Sequence, residues 1–106
     1  MSNKRDIVQE FADYFGNESK LANWQMLCND LHIGRDLSSI RKCKAALRGV
    51  YVNIYDLIDA KASGTRVRRF SNRQQLATYS IKNNKIYPKR KAKEGGPVKL
   101  LLREIF

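Results

Sequence analysis

Apolar residues recur along this chain at helical spacing. Ile7, Phe11, Tyr14 and Phe15 fall at i, i+4, i+7 and i+8 between Asp6 and Phe15, the stripe of an amphipathic helix. Gly16 stands as its stop, and Asn17 is placed to cap a second helix from Glu18 to Leu31. That helix carries Leu21, Trp24, Leu27, Cys28 and Leu31 on one side, with Gly34 beyond its end. The short link predicts that the two pack as an antiparallel hairpin.

In DLSSIRKCKAALRGVYVNIYDLIDAKASG, Ile40, Cys43, Leu47, Val50, Ile54 and Leu57 alternate steps of three and four, and Leu37, Tyr51 and Ile58 widen the band. The pattern predicts one long helix, capped by Asp36 or Ser38 and closed by Ser63-Gly64. Its seam outweighs the ~1 kcal/mol that Gly49 costs relative to alanine inside a helix. Ser71-Asn72-Arg73-Gln74 matches a capping box, with Phe70 and Leu76 as a hydrophobic clasp around it. The helix it starts runs through Leu76, Ala77, Tyr79 and Ile81 to Asn83-Asn84. Lys85 to Gly96 reads as irregular, because Pro88 forbids a continuing helix and Gly95-Gly96-Pro97 is a break. Pro97 then opens a short last helix with Val98, Leu101, Leu102 and Ile105 on one face. The expected fold is all-α: a single domain over residues 1–106 of about five helices, with one long central helix and an irregular basic segment before the last.

Composition supports one core: 106 residues, of which 42% are hydrophobic. Charge changes the picture more. The net charge is +11, and it is not spread evenly. Residues 1–61 hold 9 Lys/Arg against 8 Asp/Glu, whereas residues 62–106 hold 12 against 2. The chain therefore divides into a near-neutral scaffold, 1–62, and a basic region, 63–106. A like-charged block opposes its own compaction, which points to an anionic partner or a solvated role.

Catalytic chemistry finds little to work with. His32 is the lone histidine, and at a helix end it reads as a polar cap or a surface residue rather than a catalytic base. Cys28 and Cys43 sit on core-facing stripes without CxxC or Cys/His spacing, the pattern of buried thiols in a reducing compartment rather than a disulfide. The front-half carboxylates are scattered, and no metal-ligand, phosphate-loop or cofactor motif is present. No apolar stretch approaches the ~20 residues that span a bilayer, and MSNKRDIVQEF lacks a signal-peptide core. No enzyme, metal, cofactor or membrane role is expected, and the expected setting is the nucleus, with the cytoplasm second. Trp24 reads as core by its spacing, and Tyr55, off the seam, as a half-buried ring or an interface contact.

The basic half carries the sharpest signal. GTRVRRF places Arg66, Arg68 and Arg69 beside Phe70. The following helix and loop add Arg73, Lys82, Lys85, Lys89, Arg90, Lys91 and Lys93, with Tyr79 and Tyr87 interleaved. Guanidinium groups grip phosphate bidentately and tyrosines offer stacking faces, the side chains that a sugar-phosphate backbone calls for. Two clusters flanking a capped helix suggest that folding gathers them on one surface. Pro-Lys-Arg-Lys-Ala-Lys also fits a nuclear-import signal, and any basic run suits a solvated face or a dock for an acidic protein. Arg73, Gln74 or Gln75, Thr78 and Lys82 are residue types that read base edges, but the Ser63–Phe70 link is too long for a helix-turn-helix, so backbone contact is the expectation.

In YFGNESKLANWQMLCNDL, SSIRKCKAALRGVYVNIYDLIDA and KIYPKRKAKEGGPVKLLLREIF, across nearly all of residues 11–106, the chain resembles a group of small basic fungal proteins. The resemblance implies that the basic end belongs to the domain and that the setting is fungal. No activity, cofactor or partner comes with it. The expectation is a non-enzymatic nucleic-acid-binding module, DNA ahead of RNA, acting through residues 66–93. The alternative is a small adaptor subunit that docks an acidic partner through its cations and self-associates or forms a groove with Tyr55, Leu100 and Phe106.

Overall fold

A computed structural model describes residues 5–102. The expectations for Ile105 and Phe106 lie outside them. Seven helices and a two-stranded sheet build the described fold: α1 Ile7–Phe15, α2 Leu21–Asp30, α3 Ile40–Leu47, β1 Tyr51–Val52, α4 Ile54–Ser63, β2 Arg69–Phe70, α5 Arg73–Lys82, α6 Lys89–Ala92 and α7 Gly96–Leu102. The mostly helical, single-core reading holds, and the helix count and the sheet differ from it.

The first stripe forms as its spacing dictates. Asp6 caps α1 by accepting from the Gln9 amide at 3.1 Å, and Ile7, Phe11 and Phe15 turn inward. The second helix starts later than Glu18. The Asn17 side chain accepts from the Ser19 amide, 2.9 Å, and the Ser19 hydroxyl, 2.7 Å, and this local turn competes with helix until Leu21. Trp24 is buried edge-on to Phe15 at 5.1 Å, its indole N–H donating to the Glu18 carbonyl. No full hairpin forms: α1 meets α2 through Phe15 and Tyr14 but lies mainly on α4, and α2 packs along α3.

The long central helix is broken in the middle. Gly49 adopts φ +80°, Tyr51 and Val52 pair antiparallel with Phe70 and Arg69, and Asn53 caps a new helix. Val-Tyr-Val between a glycine and an asparagine is a short strand bounded by turn residues, and here that local preference wins. The seam is buried all the same: Cys43, Leu47, Val50, Ile54 and Leu57 all enter the core. The cap of α3 is Ser39, accepting from the Lys42 amide at 3.1 Å, because the Asp36 side chain is taken by the Ser38 amide and the Lys42 ammonium.

Asn53 holds the second half to the first. Its Oδ1 accepts from the Asp56 amide at 3.2 Å, while its Nδ2 donates to the Ser80 hydroxyl at 3.0 Å and the Lys85 carbonyl at 2.9 Å. Helix α5 is capped one residue later than the capping-box match, by Asn72, which accepts from the Gln75 amide at 2.9 Å. The stretch expected to be irregular contains α6, a single turn that begins after Pro88 and is pinned by the buried Ala92. Helix α7 buries Pro97, Val98, Leu101 and Leu102 against α3 and β1.

Three helices end alike. After α2, α4 and α5 the chain turns through a left-handed residue, His32 at φ 57°, Gly64 at φ 68° and Asn84 at φ 53°. In each case the next amide reaches back to the last turn: Ile33 to Cys28, Thr65 to Ala60, Lys85 to Ser80. These are Schellman closures, which satisfy the final carbonyls.

Candidate nucleic-acid interface

Most front-half carboxylates are engaged where they stand. Arg5 binds Glu10 at 2.7 Å and Asp59 at 3.0 Å, Lys42 binds Asp36, and Asp30 accepts from Tyr14 at 2.6 Å and pairs with Lys61 at 3.2 Å. One of them does reach across to the basic region. Asp56 takes the Tyr79 hydroxyl at 2.6 Å and the Lys85 ammonium at 2.7 Å, and that carboxylate raises the Lys85 pKa. Lys85 is therefore tied into the body rather than free for a ligand. Lys91 has Glu94 at 3.5 Å. Arg66, Arg68, Arg69, Lys82, Lys89, Arg90 and Lys93 make no ion pair among the described residues.

Strand β2 and helix α5 position the larger group. Arg68 lays its guanidinium over Phe70, 4.6 Å from the ring centre, and over Tyr79 at 5.5 Å. The two rings are themselves 4.9 Å apart, so they form one platform under the cation. Arg68, Gln74 and Thr78 border an open hollow of about 500 Å³. Asn72 and Gln75 also line it, but both are spent on the helix start, which leaves Gln74 and Thr78 as its uncommitted polar side chains. Arg73 stands exposed in the first turn of α5, and Lys82 in its last turn, one turn beyond Tyr79. Arg69 points the other way, donating to the Leu31 carbonyl at 3.3 Å. Arg66 lines a separate hollow of about 400 Å³ with His32 and Lys61.

Lys89, Arg90 and Lys91 on α6, with Lys93 at its C-terminal cap, are brought together, but elsewhere. Lys91 borders a cleft with Phe15, Gly16 and Glu18, just before α2 begins, whereas Arg69 touches the residue just after α2 ends. A ten-residue helix spans ~15 Å, so Arg69 and Lys91 sit at opposite ends of α2, and the basic run as a whole does not form one platform. Tyr87 offers no stacking face: only 7% of it is exposed, and its ring belongs to the core. What the sequence did not reveal is the support under Arg68. Phe70 adjoins it, but Tyr79 lies nine residues further on with no local signal to single it out.

Elsewhere, Cys28 and Cys43 are free and buried, and burial pushes the Cys28 thiol up to about 12, far from a reactive thiolate. Among the described residues no cluster of His, Cys, Asp and Glu could hold a metal ion, and no helix is long and apolar enough to cross a membrane. Comparison with protein-family models, with curated proteins and with solved structures finds no match for the chain.

Proposed function

We propose that the chain is a nuclear nucleic-acid-binding module that grips the phosphate backbone chiefly with β2 and α5. One observation carries the reading. Among the described residues, Arg66, Arg68 and Lys82 stand exposed without a carboxylate partner, in a stretch from Ala60 to Lys93 that contains no Asp or Glu. Such a gathering repels itself unless an anionic polymer or its counterions offset the charge. Arg68 is held on two rings, so less side-chain freedom is lost when it meets a phosphate or a base plane. Gln74 and Thr78 beside it carry groups that bond to sugar, phosphate or base edges. The α6 cations supply a second contact, which strengthens binding only when one polymer reaches both ends of α2.

Two charge-reversed variants test this: Arg66→Glu, Arg68→Glu and Lys82→Glu together, and Lys89→Glu with Arg90→Glu. On a duplex of about 10 base pairs at ~100 mM salt, the first loses retention and the second stays close to the parent. On about 30 base pairs both weaken. The reading fails if the first variant, with its helical circular dichroism intact, still binds the short duplex like the parent.

A further inference from the structure

The basic region has an apolar interruption. Ile81, 68% exposed, and Ile86, 47% exposed, are the large hydrophobic residues standing in solvent among the described ones. The left-handed turn at Asn84 folds the chain back after α5, so that both isoleucines line one cleft of about 240 Å³. Its other walls include Ile54, Ala77, Tyr87 and Leu102. Polar groups in the walls are already used: Asn53 donates to Ser80 and to the Lys85 carbonyl, and Ser80 donates to the Leu76 carbonyl. No buried side-chain nitrogen or oxygen among the described residues lacks a partner. What enters such a cleft is apolar.

The surrounding charge selects the occupant. Lys85 lines the cleft, Lys82 follows Ile81, and Lys89 and Arg90 come directly after Tyr87 and Pro88. Asp56, which reaches this region from α4, is consumed by Lys85 and Tyr79. We infer that this cleft docks an acidic amphipathic segment of a partner protein, with apolar side chains between Ile81 and Ile86 and carboxylates against Lys82, Lys89 and Arg90. A helix presenting apolar anchors at i, i+3, i+4 and i+7 among glutamates has that form. A second copy of this chain is the poorer occupant, since its +11 charge would meet the same cationic rim.

The probe is a synthetic helix-forming peptide of about 16 residues with that apolar spacing and Glu elsewhere, titrated into the full chain; a control peptide replaces each Glu with Lys. The acidic peptide binds with a Kd of order 10 μM and shifts the amide resonances of Ala77, Ile81 and Ile86, whereas the lysine peptide does not bind. Ile81→Ser with Ile86→Ser, at two solvent-facing positions, leaves the fold intact and weakens binding about tenfold or more. Equal binding of both peptides, or full binding to the double variant, overturns the proposal. So does absence of binding at ~1 mM. Concentration-dependent dimerisation abolished by the double variant would give the cleft to a second copy. Binding only after removal of residues 103–106 would give it to the chain's own end. Either result overturns the proposal as well.

Discussion

Asn53 is where the two halves of the chain are joined, and replacing it should cost more than its size suggests. It is 2% exposed, caps α4, and reaches 27 residues forward to Ser80 and 32 to Lys85. Asn53→Ala removes the cap, worth about 1 kcal/mol. It also takes the donor from the buried Ser80 hydroxyl and the part-buried Lys85 carbonyl, which adds about 1–3 kcal/mol. The total is about 3 kcal/mol, or roughly 15 °C in the midpoint of thermal unfolding for a domain of this size. Asn53→Asp separates the two contributions. It keeps the cap acceptor but turns the donating nitrogen into an oxygen that faces the Lys85 carbonyl. Buried there, the new carboxyl has its pKa raised in the folded state. The penalty is therefore small below the unfolded value of about 4 and grows as pH rises towards the folded one. Protonated, the group donates to Lys85 again, so the aspartate variant is closer to the parent at pH 4 than at pH 7. Thermal unfolding followed by circular dichroism at the two pH values checks both statements. An alanine variant within about 0.5 kcal/mol of the parent would refute the reasoning, as would an aspartate variant whose deficit is independent of pH.

Gly49→Ala tests the broken helix by its sign: in a continuous helix it would stabilise by ~1 kcal/mol, but at φ +80° with open space around the Cβ it destabilises by about that amount in denaturant melts. His32→Gly relieves a left-handed non-glycine residue at the end of α2 and raises stability by about 1 kcal/mol, read by the same melts. Asp56→Asn releases Lys85. It lowers stability by about 1 kcal/mol yet tightens nucleic-acid binding and steepens its salt slope by ~0.9, which anisotropy titrations measure. Because Asp56 raises the Lys85 pKa, that pair's stabilisation is full below the unfolded lysine value of about 10 and fades as pH rises through the folded one, so the deficit of Asp56→Asn narrows in alkaline melts.

The sequence was legible where a residue's role depends on near neighbours. Ile7, Phe11 and Phe15, and Trp24, Leu27 and Cys28, occupy the core because their spacing alone defines a face. The seam from Cys43 to Leu57 was right about burial and wrong about continuity. Steps of three and four also result when two short helices flank a turn and feed the same core. Gly49 and Asn53 on either side of Val50-Tyr51-Val52 were the visible sign of that turn. The basic region was harder to read, because its decisive contacts are distant in sequence. Lys85 meets Asp56 29 residues away, which no pattern within either segment signals. Tyr87 sits among lysines yet is buried, and Ala92, the one apolar residue of Lys89–Lys93, marks the side of α6 that faces inward. Because α6 packs near the start of α2 and Arg69 near its end, two runs that look like one patch in the sequence lie apart in space.

The most direct test of a phosphate-gripping surface on β2 and α5 is the salt dependence of binding to a short duplex, measured by fluorescence anisotropy of the unmodified chain. With Arg66, Arg68 and Lys82 each meeting a phosphate, log K falls against log salt with a slope of about −2.7, a loss of roughly 40-fold between about 50 and 200 mM. A slope near zero, or no binding at the lowest salt, would contradict the account.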